Sequence, residues 1–236
     1  SLTPPSRIGP PRRPMTGLPL ASARPATLIV VGGQSRAVGK TSTIEHVLRA
    51  RQGEQWIAVK ISAHRHASVS DAAPLVEEAD HASPFTQTGR FLEAGAGRAF
   101  LCRTPDARLA DTAAFLRSLL ADGTNVIAES NRITRFVRPD VVLFVVSPSV
   151  ADWKSSAGAC LAGAGALVTI ERAGAVPAAL AARGTHLRER PVFEMDGDRR
   201  VHGLDPWLDA RLTPGDAAHV RAAGARRASA ASPYEW

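Results

Sequence analysis

The sequence predicts an α/β fold in which a mostly parallel β-sheet lies between two layers of helices. Short apolar runs alternate with longer segments of helical pattern along most of the chain. The runs are continuous in Val, Ile and Leu rather than alternating with polar residues, which is typical of strands buried on both faces. Strand–helix alternation of this kind favours parallel strands joined by helical crossovers.

The predicted elements follow one another without an internal repeat. The predicted strands are Thr27–Val31, Trp56–Ile61, Ala99–Cys102, Asn125–Ala128, Val141–Val146, Leu167–Ile170 and Val192–Glu194. The predicted helices include Lys40–Arg51, Asp106–Ala121, Trp153–Leu161 and Val176–Ala182. The first of these helices carries Ile44, Val47 and Leu48 on one face, at the spacing of an amphipathic helix.

The chain has 236 residues, of which 44% are hydrophobic, and this is enough for one α/β domain with a core. Its formal charge of +7 is concentrated near the ends. Residues 1–26 carry four arginines and no acid, and residues 221–236 carry three arginines and one glutamate, so the body between them is nearly neutral. This distribution argues against nucleic acid as the main partner.

We expect one folded domain over residues 26–215, with flexible tails at 1–25 and 216–236 that are rich in Pro, Arg and Ala. Cys102 and Cys160 are too few for a disulfide framework and are expected as small core residues of a cytoplasmic protein. No apolar run approaches the roughly 20 residues needed to cross a membrane. The proline-rich N-terminus lacks an apolar h-region, so a secretory signal is not expected.

The strongest functional signal is the stretch from Thr27 to Ser42, which reads TLIVVGGQSRAVGKTS. Its glycines permit close approach of the backbone to phosphate, and consecutive N–H groups at a helix N-terminus bind anions. Lys40 is predicted to contact the β- and γ-phosphates of a nucleoside triphosphate, and the Thr41 hydroxyl to bind Mg²⁺. The predicted nucleotide-binding residues are Gly33, Ser35, Arg36, Ala37, Val38, Gly39, Lys40, Thr41 and Ser42.

The spacing of this loop departs from the usual phosphate-binding pattern. Five residues separate Gly33 from Gly39, and Gln34 stands where a glycine is usual. The spacing resembles that of dethiobiotin synthetase and its relatives, in which the loop also runs glycine, five residues, Gly-Lys-Thr. The resemblance implies a three-layer P-loop NTPase fold with a mostly parallel central sheet.

Lysine is rare in this chain, which has 26 arginines and only three lysines. Lys40 and Lys60 both lie at the predicted C-terminal side of a strand, where ligands of open α/β sheets bind. A compact, flexible charge at such a place predicts Lys60 as a catalytic group. An ordinary surface lysine is the alternative. The third lysine is Lys154.

His64 and His66 follow Lys60 at the same predicted edge of the sheet. Three roles stay open for this pair: contact to substrate or phosphate, ligation of a metal together with further ligands, or ordinary loop positions. Asp71, Asp80 and His81 follow before the next strand, and for Asp80 a solvated loop carboxylate is favoured over a metal ligand.

Glu129 stands at the C-terminal tip of the apolar strand that begins at Asn125. A carboxylate there can hold Mg²⁺, directly or through water, or orient an attacking nucleophile. Glu129 is therefore predicted as a catalytic residue and a metal ligand, beside Thr41. A solvated or helix-capping glutamate is the alternative, and Ser130 and Asn131 are expected to line the pocket.

The order of these motifs also resembles molybdopterin-guanine dinucleotide biosynthesis protein B. That family has a phosphate loop, a strand ending in Lys followed by histidines, a segment similar to Thr88–Ala96 and a later strand ending in Glu. Gln87-Thr88 stands here where the family usually has an Asp, and Glu129-Ser130 where it usually has Glu-Gly. The resemblance covers about residues 27–146. Residues 147–154 match no pattern that we recognise.

Two classes of function are open. The chain is either an enzyme, which hydrolyses a nucleoside triphosphate or transfers phosphate to a small acceptor near Lys60, His64 and His66, or a nucleotide-dependent accessory protein. The resemblance implies the second class, acting through a protein partner in molybdenum cofactor biosynthesis. The expected cofactors are Mg²⁺ and ATP or GTP, between which the sequence does not choose because Asn-Lys-x-Asp is absent. Homodimer formation is also left open.

Overall fold

Eight strands form one sheet in the computed structural model, which describes residues 25–63, 75–181 and 190–213. The strands are β1 (Leu28–Gly33), β2 (Trp56–Ser62), β3 (Leu75–Glu78), β4 (Arg98–Arg103), β5 (Asn125–Glu129), β6 (Val141–Val145), β7 (Ala166–Thr169) and β8 (Val192–Glu194). The helices are α1 (Lys40–Ala50), α2 (Gln87–Glu93), α3 (Leu109–Ala121), α4 (Ala157–Gly163), α5 (Val176–Leu180) and α6 (Leu204–Leu212).

The sheet order is β3-β4-β2-β5-β1-β6-β7-β8, and every pair of neighbours is parallel except β3 with β4. Alternate residues of β1 face opposite sides: Ile29 and Val31 pack in the cluster that contains α1, α2 and α6, whereas Leu28 and Val30 pack against α3. Helices α4 and α5 cover the neighbouring part of that second face, over β6 and β7. The prediction of a three-layer α/β fold with a mostly parallel central sheet is confirmed.

Several predicted boundaries differ from the structure. Strand β3 and helices α2 and α6 were not among the elements that the sequence predicts. Strand β3 reads LVEE, too short for a clear pattern, and its glutamates pair instead with Arg98 and Arg103 of β4. The predicted helix Trp153–Leu161 begins only at Ala157, because the residues before it bind to another loop. The predicted helix from Asp106 begins with a 3₁₀ turn, Asp106–Arg108, before α3.

Cys102 and Cys160 are both buried in the core, as predicted, and burial raises the pKa of each thiol to about 12. In the part of the chain that the structure describes, no helix has both the length and the apolar character required to span a membrane. The predicted tails, apart from Pro25, lie outside the described residues.

Candidate nucleotide-binding site

The predicted site residues meet at the carboxyl edge of the sheet. Lys60 in β2 lies opposite Glu129 in β5, and Glu129 lies opposite Val31 in β1. The phosphate loop (residues 34–39) leaves the same edge between β1 and α1. A cavity of about 880 Å³ opens there, and Lys40, Lys60 and Glu129 all line it. Its volume lies within the range of small-molecule sites.

The backbone of the phosphate loop adopts conformations that favour small residues. Ala37 has a φ of 56° and Gly39, which precedes α1, has a φ of 103°, both in the left-handed region. At Gly33 an added Cβ would lie 2.9 Å from Cγ and Cδ of Lys40. Glycine at this position therefore leaves room for the lysine side chain to fold back over the loop, where its Nζ donates to the Ser35 carbonyl at 2.5 Å.

Gln34 accounts for the unusual spacing of the loop. Its side chain is 1% exposed, accepts from the Ser147 amide at 2.9 Å and donates to the carbonyls of Val150 and Asp152. Its backbone carbonyl accepts from the amide of Lys154 at 2.9 Å. The residue that replaces the usual glycine thus joins the phosphate loop to the segment after β6.

Not every predicted nucleotide-binding side chain faces the cavity. Arg36, Ala37, Gly39, Lys40, Thr41 and Ser42 line it. Val38 packs in the hydrophobic core, and the Ser35 hydroxyl donates to the Asp152 carboxylate at 2.5 Å. Gly33 ends β1 and pairs with Val145 of β6. For Ser35 and Val38 the prediction of phosphate contact is therefore restricted to backbone N–H groups, and for Gly33 it gains no support, because its amide donates to Asn131 Oδ1.

A chain of polar contacts links Lys60, Glu129 and Thr41. Lys60 Nζ lies 2.6 Å from Glu129 Oε1, and the Thr41 hydroxyl donates to Glu129 Oε2 at 3.4 Å. The side chains of Lys60 and Glu129 are 19% and 5% exposed, which excludes both an ordinary surface lysine and a solvated loop glutamate. Gln87 of α2 donates from Nε2 to the Thr41 hydroxyl at 2.9 Å.

Asn131 ties the end of β1 to the residues that follow β5. Its Oδ1 accepts from the Gly33 amide at 2.7 Å, and its Nδ2 donates to the Gly33 carbonyl at 2.8 Å. Ser130 accepts from the amides of Arg132 and Ile133 through its hydroxyl. Both residues line the cavity, as predicted, but their hydrogen bonds serve mainly to order the backbone around Glu129.

Positive charge dominates the cavity. Burial lowers the pKa of Lys40 to about 8; Glu129 opposes this shift, and Lys154 and Lys60 add to it. The pKa of Lys154 is also lowered, mainly by burial and then by repulsion from Arg36 and Lys60. An anion in the cavity would relieve this repulsion, so the site is electrostatically suited to a polyphosphate.

The oxygen donors present fit Mg²⁺. The Thr41 hydroxyl and Glu129 Oε2 face each other at 3.4 Å, and hydroxyl and carboxylate oxygens are ligands that this cation accepts. The described residues include no group of three or more His, Cys, Asp or Glu side chains that would hold a metal by itself. This donor set fits a cation that keeps water and substrate phosphate among its ligands.

Comparisons with known proteins identify no family for this chain. No protein-family model and no curated protein matches the chain. Among solved structures, the chain is similar to the signal recognition particle 54 kDa protein from Aeropyrum pernix K1, crystallised in complex with GDP. The identity is 18%, the TM-score is 0.49, and the match covers 83% of this chain and 48% of that chain, so this chain spans about half its length. At this degree of similarity, no functional property of that protein is transferred.

Several cavity residues were not predicted from the sequence. Lys154 is the most informative, because it completes a set: all three lysines of the chain line this one cavity. The rarity of lysine beside 26 arginines was the signal that would have found it. Arg132 and Asp106 pair with each other and also line the cavity, and neither belongs to a recognisable motif.

Other predictions do not gain support from the structure. His64, His66 and Asp71 lie outside the described residues. Asp80 and His81 are exposed, and neither lines the cavity, which agrees with a solvated loop position for Asp80.

Proposed function

We propose that this chain binds a nucleoside triphosphate with Mg²⁺ at the phosphate loop and hydrolyses it or transfers its terminal phosphoryl group. The observation that carries the proposal is the position of Lys40. Its side chain crosses Gly33 and bends over the loop, and its ammonium group is largely buried beside two further lysines. Burial of a cation among cations destabilises the fold and is expected where an anion is bound.

The other residues have separate tasks in this proposal. The amides of the phosphate loop and the N-terminus of α1 bind the phosphates. Thr41 and Glu129 hold Mg²⁺, which neutralises phosphate charge when bound. Lys60 keeps the carboxylate of Glu129 oriented through their 2.6 Å contact. Glu129 is thereby placed to orient the attacking nucleophile.

The space beyond the phosphate loop favours a small acceptor. Ser62, Ala63, Asp106 and Arg132, which lie outside the phosphate loop, also line the cavity. We assign these residues to the acceptor, within a role in cofactor or small-molecule biosynthesis of the kind that the resemblance to dethiobiotin synthetase implies.

A nucleotide-dependent accessory protein, similar to molybdopterin-guanine dinucleotide biosynthesis protein B, is the second candidate. Phe85 favours it, because this side chain is 94% exposed only two residues before Gln87, which contacts Thr41. An exposed aromatic side chain next to the site suits a protein partner. Turnover by the isolated chain, alone and with small acceptors, supports the enzyme; tight binding with negligible turnover supports the accessory protein.

The test of the proposal is Lys40→Ala. Calorimetry with ATP and GTP, each with Mg²⁺, should show loss of most of the triphosphate affinity, because charge-assisted contacts to phosphate are about twice as strong as neutral ones. Arg211→Ala is the matched control, since it removes a positive charge that lies over Trp207 on α6 and outside the cavity lining. Unchanged affinity in a folded Lys40→Ala variant would contradict the assignment.

A further inference from the structure

Lys154 is the one lysine of the cavity whose ammonium group makes no hydrogen bond within the described structure, although Glu129 and Asp152 attract it from a distance. Lys40 donates to the Ser35 carbonyl, and Lys60 is paired with Glu129. The ammonium group of Lys154 makes no hydrogen bond or ion pair with any residue in the described ranges, although it lies close enough to Lys60 and Glu129 to interact with both. A partly buried cation without such a contact is expected to have a ligand.

The backbone of Lys154 is held in a fixed position relative to the phosphate loop. We call residues 147–154 the Lys154 segment. Gln34 bonds to it at three backbone positions through its side chain and at Lys154 through its carbonyl, and Ser35 bonds to the Asp152 carboxylate. Trp153 stacks on Phe144 of β6, with ring centroids 6.1 Å apart. Lys154 therefore approaches the loop from a rigid support rather than from a free surface loop.

We infer that Lys154 contacts the terminal phosphoryl group of the bound triphosphate and stabilises the negative charge on it during transfer. This inference rests on the proposed function. In the step, the oxygen of water or of the acceptor forms a bond to the γ-phosphorus. The bond from that phosphorus to the β–γ bridging oxygen breaks, and its electron pair leaves with the diphosphate. The proton of the nucleophile passes to solvent, and Lys154 stays protonated throughout.

The chain would thus supply in cis a cation that some P-loop proteins receive from a partner. A lysine suits this position because its compact ammonium group reaches a single phosphate oxygen, whereas a guanidinium requires a wider planar site. This role would also explain the unusual spacing of the phosphate loop, because Gln34 anchors the segment that carries the cation.

The experiment compares ground-state and transition-state ligands in the full chain and in Lys154→Ala. The probes are Mg²⁺ with ADP or GDP, the same complexes with aluminium fluoride, and single-turnover hydrolysis of ATP and GTP. We expect diphosphate affinity in the variant to stay within about threefold of wild type. The affinity for the diphosphate complex with aluminium fluoride and the single-turnover hydrolysis rate should each fall on the order of a hundredfold, as for other preorganised charges. Lys154→Arg should recover part of both losses. The control variant Arg211→Ala should show neither loss.

The possible outcomes separate this inference from the function on which it rests. Wild-type chain that binds neither diphosphates nor triphosphates overturns both. Wild-type chain that binds diphosphates but never retains aluminium fluoride overturns the role of Lys154 alone. The same conclusion follows if Lys154→Ala retains aluminium fluoride normally, or loses diphosphate and fluoride complexes equally. Should Lys154→Ala fail to fold, full activity in a folded Lys154→Met variant overturns it.

Discussion

Lys40 shows most clearly how burial and charge oppose each other at a single residue. Its pKa of about 8 lies below its ordinary value of 10.5, first because burial disfavours the charged form. Between these two pH values the unfolded chain holds the proton and the folded chain does not, so folding stability rises with pH in this window. At neutral pH the charged Lys40 therefore destabilises the fold, a cost that we attribute to phosphate binding.

The same pKa predicts how nucleotide affinity depends on pH. Bound phosphate raises the pKa of Lys40. Below pH 8, Lys40 is therefore protonated in both the free and the nucleotide-bound protein, and affinity does not change with pH. Above pH 8 binding must take up a proton, and affinity should fall by up to about tenfold per pH unit. Calorimetry of Mg²⁺ with ADP or GDP between about pH 7 and about pH 9.5 measures this. The diphosphates lack the terminal phosphoryl group to which Lys154, whose pKa is also lowered, is assigned. Lys40→Arg is the control, since its residual affinity should not fall; a flat wild-type profile would contradict the prediction.

At Glu129 the prediction concerns turnover rather than binding. Glu129→Gln keeps the size of the side chain but removes the charge that faces Thr41 and Lys60. We expect the single-turnover rate to fall on the order of a hundredfold while nucleotide Kd changes little. Stability should fall by about 1–3 kcal/mol, because Lys60 loses its charged partner.

A double variant separates these two effects of Glu129→Gln. Adding Lys60→Met removes the unpaired cation, so it should restore much of the melting temperature but none of the turnover. Wild-type turnover in Glu129→Gln would remove Glu129 from the mechanism and leave Thr41 as the only predicted protein ligand of the metal.

At the scale of elements, the start of α1 determines the shape of the phosphate loop. Helix α1 has no side-chain cap, and the residue before it, Gly39, is left-handed. The first helical residues are Lys40 and Thr41, so the turn of the backbone at Gly39 sets the direction in which both side chains leave the helix.

Gly39→Ala should therefore reduce both stability and nucleotide affinity. A left-handed non-glycine residue costs about 1–2 kcal/mol, and the new Cβ would also lie 3.0 Å from Ile170 Cγ2. Gly123→Ala is the matched control, because Gly123 has a φ of 78° and nothing lies within 4 Å of its added Cβ. Thermal melts should show a similar backbone cost in both variants, and calorimetry a loss of affinity only in Gly39→Ala. Equal nucleotide affinity in the two variants would contradict a role of the Gly39 turn in nucleotide binding.

For the whole molecule, the arrangement of strands explains why one cavity collects residues from distant parts of the chain. Strands β1, β2 and β5 are adjacent and parallel, so their carboxyl ends meet although Lys60 and Glu129 are 69 positions apart. Among the residues that the structure describes, those that line the cavity fall between Arg36 and Arg199.

Deletion of residues 1–24 should leave nucleotide binding within about threefold of the full chain, because this Pro- and Arg-rich segment has little that could pack against the domain. The deleted residues precede Leu28, where β1 begins, and carry all four arginines of the first 26 residues. Calorimetry at two salt concentrations tests this, because screening would reveal a contribution from the tail charge. A tenfold loss of affinity, about 1.4 kcal/mol, would show that the tail closes over the site.

Much of the fold was accessible from the sequence because buried parallel strands have a local signature. Seven of the eight strands were predicted, some with ends displaced by one or two residues. The strand that was missed, β3, is an antiparallel edge strand whose glutamates depend on Arg98 and Arg103 of its neighbour. Short elements of this kind are stabilised by tertiary contacts rather than by their own pattern.

The sequence by itself determined the phosphate loop, the strand-end positions of Lys60 and Glu129, and the rarity of lysine, because each of these depends on neighbouring residues or on composition. Only the tertiary structure decided that Gln34 is an anchor and that Lys154 belongs to the site. Both depend on hydrogen bonds between segments more than 110 positions apart, and no local pattern encodes such a contact. Residue type shows which chemistry a side chain can perform, whereas the packing of distant segments decides which side chains share one cavity.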